Sequence, residues 1–118
     1  NTLMQMQFFH IDEFKCKQTG NNEMCPFFLE KLDELRYSCD MPFHITSGYR
    51  DPSHSIEAGK SVPGTHARGI AADIHINNGA EGYKIVEAAF KMGFKGIGIA
   101  KTFIHLDTRT SVPVIWTY

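Results

Sequence analysis

Two short polar clusters constrain the possible folds of this chain more than any other feature of its sequence. The first spans residues 66–73 and reads HARGIAAD, and the second spans residues 104–109 and reads IHLDTR. Together they supply two imidazoles and a carboxylate, and a catalytic zinc ion takes three such ligands and leaves its fourth position to water. The fold must therefore bring two distant segments to one place, and the pattern predicts a metallohydrolase.

The size and charge of the chain limit what else it can be. Its 118 residues, 42% of them hydrophobic, suffice for one compact core, so we expect a single domain over residues 1–118. A formal net charge of −1 offers no broad cationic surface for nucleic acid or an anionic membrane. No apolar run approaches the ~18 residues of a membrane span, and the first residues lack the features of a signal peptide. We expect a monomer that is made in the cytoplasm.

The three cysteines do not form a recognisable site. Cys16, Cys25 and Cys39 are odd in number and show no Cys-x-x-Cys spacing, so neither a closed disulfide framework nor a thiolate zinc site is indicated. We expect buried, reduced thiols. A nucleophilic cysteine paired with a histidine remains an alternative.

Hydrophobic periodicity predicts the elements of an α+β fold. Apolar spacing indicates helices at residues 24–39 and 80–92, with Pro26 in the first turn of the former and Gly93 ending the latter. Strands are predicted at residues 43–46, 69–76, 96–99, 103–107 and, as an edge strand, 112–116. The expected architecture is two main helices packed on a largely antiparallel sheet.

Alternation within two of these strands separates core residues from polar ones. Ile70, Ala72 and Ile74 fall on one strand face, so Asp73 points to the other face. His105 and Asp107 likewise share a face, about 6–7 Å apart along the backbone. One of them can bind a metal while the other lies beside it.

The residues around these strands offer the remaining groups that hydrolysis needs. A metal-assisted hydrolase requires a general base and a cation for the developing oxyanion, and Asp107 and Arg50 are the candidates. Arg50 follows a strand end, and the serine-, glycine- and proline-rich residues 51–64 are typical of an irregular loop beside a binding site. We expect Glu57, within this loop, to be solvated.

Three ordered motifs resemble the zinc D-Ala-D-Ala peptidases of the M15 type, whose fold core is shared with the hedgehog amino-terminal signalling domain. They are SGYR at residues 47–50, GTHARGIAAD at residues 64–73 and FIHLD at residues 103–107. The segment 93–99, GFKGIGI, and Trp116 are similar to the compact branch found in phage and bacterial murein peptidases. The resemblance covers most of the chain.

The resemblance implies a specific site and substrate. One zinc ion would be held by His66, Asp73 and His105. Arg50, together with Ser47 of the same motif, would bind the substrate, with Arg50 engaging its carboxylate or the transition-state charge. The substrates would be bacterial peptidoglycan peptides, and the enzyme would act on the cell wall, as in phage lysis.

One departure from the family pattern leaves the general base open. Several branches carry an acidic residue three positions before the last metal ligand, where this chain has Thr102. We therefore predict that Asp107 is the base.

Three functions remain in competition. The leading one is a peptidoglycan peptidase, either a carboxypeptidase that removes a terminal D-alanine or an endopeptidase that cuts a stem or cross-link. The second is a non-catalytic, zinc-stabilised binding module of the same fold. Thr102, which stands where several branches of the family have an acidic residue, keeps this alternative in consideration. The third is a cysteine-dependent hydrolase, which a thiol reagent would inhibit and a chelator would not.

Overall fold

A computed structural model describes residues 6–118 of the chain. A short 3-10 helix, Ile11–Phe14, precedes two α-helices and five strands. In chain order these are α1 (Pro26–Cys39), β1 (Ile45–Ser47), β2 (Ala71–His75), α2 (Gly79–Lys91), β3 (Gly96–Ile99), β4 (Phe103–Asp107) and β5 (Val114–Thr117). This confirms the predicted α+β class with two main helices, and the predicted edge strand is present.

The five strands form one sheet in the order β1-β2-β4-β3-β5. All neighbouring pairs are antiparallel except β3 and β5, which run parallel. The largely antiparallel sheet is thus confirmed. Strand β4 lies at its centre, between β2 and β3, so the second polar cluster is carried by the most enclosed strand of the sheet.

The two faces of the central strands have different surroundings. Ile74, Ile104 and Leu106 belong to the buried apolar core, together with residues of both helices such as Leu32 and Ile85. Because side chains alternate along a strand, the intervening polar residues of β2 and β4 lie on the opposite face. The sheet thus separates an apolar core beneath the helices from a polar layer.

The helix boundaries follow from local sequence signals. Pro26 begins α1, where the missing N–H of proline costs nothing. The side chain of Asn78 accepts a hydrogen bond from the Glu81 amide at the start of α2, and Gly93, with φ of 81°, follows its end. Among the described residues, no helix is both long and apolar enough to cross a membrane.

Candidate metal centre

Three potential metal-binding side chains converge on the polar face of the sheet. Asp73 on β2 lies directly opposite His105 on β4 in the antiparallel register. His66 comes from the turn that precedes β2. Asp73 Oδ1 is 3.3 Å from His66 Nε2 and 3.1 Å from His105 Nδ1, and all three residues are buried.

The spacing of these donor atoms fits a zinc ion. Zinc–donor bonds of about 2.0–2.1 Å in a tetrahedron place the donors about 3.3 Å apart, close to both distances measured here. One donor atom from each of the three residues lies within 4.8 Å of the other two. Two imidazoles and one carboxylate also match a catalytic zinc site that leaves one position open. The residues present therefore fit the ion that the sequence predicts.

A main-chain carbonyl orients His66. Its Nδ1 lies 2.8 Å from the carbonyl oxygen of Gly48, so Nδ1–H donates and Nε2 is left for the metal. The turn around His66 is held by main-chain hydrogen bonds, including Ile70 N–H to the Thr65 carbonyl. Gly69 has φ of 74°, and a side chain there would collide with the carbonyl of Glu23. Backbone geometry thus fixes the orientation of this candidate ligand.

A carboxylate orients His105 instead. Its Nε2 lies 2.8 Å from Asp107 Oδ2, which leaves Nδ1 facing Asp73. Arg109 holds the same carboxylate from the other side, with Nε donating to Oδ1 at 2.9 Å and Nη2 to Oδ2 at 2.7 Å. The sequence motif signalled Asp107, but Arg109 was missed as a partner.

The charges of the site favour a bound cation. Burial alone would raise the pKa of Asp73, but hydrogen bonds from His105 and His66 outweigh it and hold that pKa well below its usual range. Burial lowers the pKa of His105, yet Asp107 and Asp73 outweigh it and raise that pKa. The two carboxylates that attract a proton to His105 would equally attract a divalent ion.

A polar cavity of about 440 Å³ opens beside the three donors. Arg50 lines it, and Arg50 Nη2 lies 3.8 Å from Asp73 Oδ2. Ser47 lines a neighbouring cavity of about 200 Å³, which shares Arg50. Thr102 is exposed in the turn between β3 and β4 and is not among the residues that line the metal-site cavity.

The prediction that Glu57 is solvated is wrong. The residue is only 4% exposed, and it lines the cavity from the loop that precedes His66. Its Oε2 accepts from Lys60 Nζ at 2.9 Å and its Oε1 from the Gly64 amide at 3.1 Å. Composition marked the loop as irregular but gave no sign that this loop folds over its own acidic residue.

The structure puts Asp107 in an unusual setting for a general base. The residue has no exposed surface, and both of its oxygens are engaged by Arg109. Burial would raise its pKa, but hydrogen bonds from Arg109 and His105 hold the pKa well below its usual range. Catalysis by Asp107 as a base therefore stays a prediction, and its contacts favour a role in orienting His105.

The cysteines lie apart from the metal-site cavity, and none of the three lines it. All three are free, with Cys16 and Cys39 buried and Cys25 half-buried. The prediction of buried thiols is therefore correct for Cys16 and Cys39, whereas Cys25 is only partly buried.

The sequence matches a model of a known protein family. A family model described as Peptidase M15 matches residues 7–107, which include all three donor residues of the metal centre. None of the curated proteins compared matches the sequence.

Proposed function

The chain belongs to the peptidase M15 family, and from this premise we propose that it is a zinc-dependent peptidase that hydrolyses peptide bonds in bacterial peptidoglycan stem peptides. The observation that carries the proposal is the convergence of His66 Nε2, Asp73 Oδ1 and His105 Nδ1 at zinc-binding separations. Membership of the family supports hydrolysis of peptide bonds. The motifs at residues 47–50, 64–73 and 103–107 support the assignment of peptidoglycan peptides as the substrate.

The groups around the donors support hydrolysis of a peptide bond. When bound, zinc would activate water and polarise the scissile carbonyl. The guanidinium of Arg50 lies next to Asp73 and is one-fifth exposed, so it can donate hydrogen bonds into the cavity. There it would stabilise negative charge on the substrate, either on a carboxylate or on the carbonyl oxygen under attack.

The proposed contribution of Asp107 is positional. By accepting from His105 Nε2–H, its carboxylate holds the imidazole with Nδ1 toward the metal and makes that nitrogen a better ligand. Arg109 neutralises the buried carboxylate. Removal of a proton from water by Asp107 would require Arg109 and His105 to release it first.

The proposal is tested by mass spectrometry of muropeptides incubated with the zinc-loaded protein. Purified sacculi and synthetic stem peptides should lose a defined residue or be cut at a defined bond, and a chelator should abolish this change until zinc is restored. Release of terminal D-alanine would identify a carboxypeptidase. Separation of cross-linked chains would identify an endopeptidase.

A matched variant pair separates the metal centre from general effects. His66→Ala should lose both zinc and cleavage, whereas His44→Ala should keep both because His44 is exposed and lies outside the cavity. Circular dichroism of each variant establishes that it is folded. Cleavage by folded His66→Ala at the wild-type rate would contradict the proposed mechanism.

A specific observation favours a second candidate, a zinc-stabilised binding module without turnover. The carboxylates that line the cavity are Asp73, which faces both imidazoles, and Glu57, which is paired with Lys60. Neither is free to act as a general base, and Thr102 replaces the acid found in several branches of the family. Stoichiometric zinc in a protein that leaves all muropeptides intact would select this candidate.

A further inference from the structure

Two glycines of β3 lie beside the metal centre. In the antiparallel register Gly96 pairs with Asp107, and Gly98 pairs with His105. Directly opposed residues on neighbouring strands project to the same face of a sheet, so both glycines lie on the polar face. Glycine weakens a strand interior relative to alanine, and there it often marks a close approach by another group.

The space that these glycines leave is filled by functional side chains. A Cβ atom on Gly96 would collide with the carboxylate of Asp107. A Cβ atom on Gly98 would lie 2.7 Å from Cε2 and 2.8 Å from Nε1 of the Trp116 indole. Any larger residue at either position would therefore displace Asp107 or Trp116.

The two displaced groups belong to one closed set of contacts around His105. The Trp116 ring, brought in by β5, lies 4.9 Å from the His105 ring. The Arg109 guanidinium lies 5.2 Å from the Trp116 ring and also grips Asp107. Asp107 in turn contacts His105 Nε2. We name these four residues, His105, Asp107, Arg109 and Trp116, the histidine clamp.

We propose that Gly96 and Gly98 are positioning residues that allow the histidine clamp to close and thereby fix Nδ1 as the metal-binding atom of His105. The imidazole is held at Nε2 by Asp107, and the Trp116 ring packs beside it, so rotation that presented Nε2 to Asp73 would break the contact with Asp107 and would have to take place against the indole. The inference rests on the proposed metal centre. It does not depend on which bond is hydrolysed.

The test measures metal binding in Gly98→Ala. Zinc affinity should fall by roughly ten-fold, the lower range for loss of a group that orients a ligand. The visible absorption bands of the cobalt(II)-substituted protein should also shift, because the geometry at His105 changes. Gly79→Ala is the matched control, since a Cβ atom there has no neighbour within 4 Å. It should keep the wild-type affinity and spectrum.

A double-variant cycle tests whether Gly98 acts through the indole. Trp116→Leu removes the ring without adding a clash, and we expect a several-fold loss of zinc affinity, which is measurable even where Gly98→Ala does not fold. Gly98→Ala/Trp116→Leu should bind zinc no more weakly than Trp116→Leu, because the alanine methyl no longer meets the ring.

Two results would overturn the proposal. One is a wild-type zinc affinity and cobalt spectrum in Trp116→Leu or in folded Gly98→Ala. The other is strict additivity of the two substitutions in zinc affinity. Failure of the proposed function would look different, because a protein that cleaves no muropeptide would still respond to these substitutions in its metal binding.

Discussion

The two histidines of the candidate metal centre are held by different parts of the molecule and in different ways. His66 lies in a turn outside the sheet and donates to the main-chain carbonyl of Gly48. His105 lies on the central strand and donates to the side chain of Asp107. The orientation of His66 therefore depends on backbone geometry, whereas that of His105 depends on packed and charged side chains. We call His66 with its turn the turn-borne half of the site, and His105 with the side chains that hold it the strand-borne half. Substitutions should affect the two halves independently.

The largest loss of zinc binding should follow removal of a histidine from either half of the site. His66→Ala and His105→Ala each remove one of the three proposed ligands, so each should lose stoichiometric zinc and reduce hydrolysis below detection. Metal analysis by inductively coupled plasma mass spectrometry and a peptide cleavage assay measure these outcomes. Retention of one zinc per chain by either variant would show that the two histidines are not equivalent ligands.

The next largest loss of zinc affinity should come from a substitution in the strand-borne half alone. Asp107→Asn removes the charge that orients His105, and we expect zinc affinity to fall by about 10–100-fold. Competition with a chromophoric chelator measures the affinity. Asp40→Asn is the control because Asp40 is exposed and has φ of 50°, a conformation that asparagine accepts. An unchanged affinity in Asp107→Asn would mean that His105 needs no carboxylate partner.

The same contrast explains which features could be predicted from sequence. Periodicity located both α-helices and the five strands to within a few residues, because both helices and the central strands bury one regular face, but it missed the short 3-10 helix Ile11–Phe14. Strand alternation correctly predicted that Asp73 and Ile74 lie on opposite faces of the sheet. The motifs at residues 64–73 and 103–107 indicated three candidate ligands, and the fold does bring these residues together, as the separations around Asp73 Oδ1 show.

Features that depend on contacts between side chains from different strands and loops could not be predicted from the sequence. The choice between Nδ1 and Nε2 of His105 depends on Asp107 and on Trp116, which reaches the site across β3. The burial of Glu57 depends on how an irregular loop folds back, for which composition gives no rule. Two glycines in one short strand were the available signal for the contacts across β3.

A smaller effect should be confined to the turn-borne half. Gly69→Ala introduces both a strained φ and a collision with the Glu23 carbonyl, and we expect a loss of about 1–3 kcal/mol in the free energy of unfolding. Urea denaturation measures it. Gly20→Ala is the matched control, since Gly20 has φ of 79° but no neighbour within 4 Å of a Cβ atom. Equal losses in the two variants would contradict the importance of the turn's packing.

The smallest effect should come from the loop that covers the cavity. Glu57→Gln removes the charge that pairs with Lys60 but can still accept from the Gly64 amide. Because Lys60 is 42% exposed, we expect a loss of at most ~1 kcal/mol in unfolding free energy. Thermal denaturation measures it, with Lys17→Gln as an exposed control. A larger loss, or a loss of bound zinc, would assign Glu57 to the metal centre itself.

The most direct test of the account is an anomalous-difference map at the zinc edge from crystals of the zinc-loaded protein. We predict one peak per chain, about 2.0–2.1 Å from His66 Nε2 and His105 Nδ1 and within bonding distance of Asp73. Asp107 should remain on His105 Nε2 without touching the metal. A peak bonded to His105 Nε2 or to Asp107, or no peak among these residues, would contradict the account.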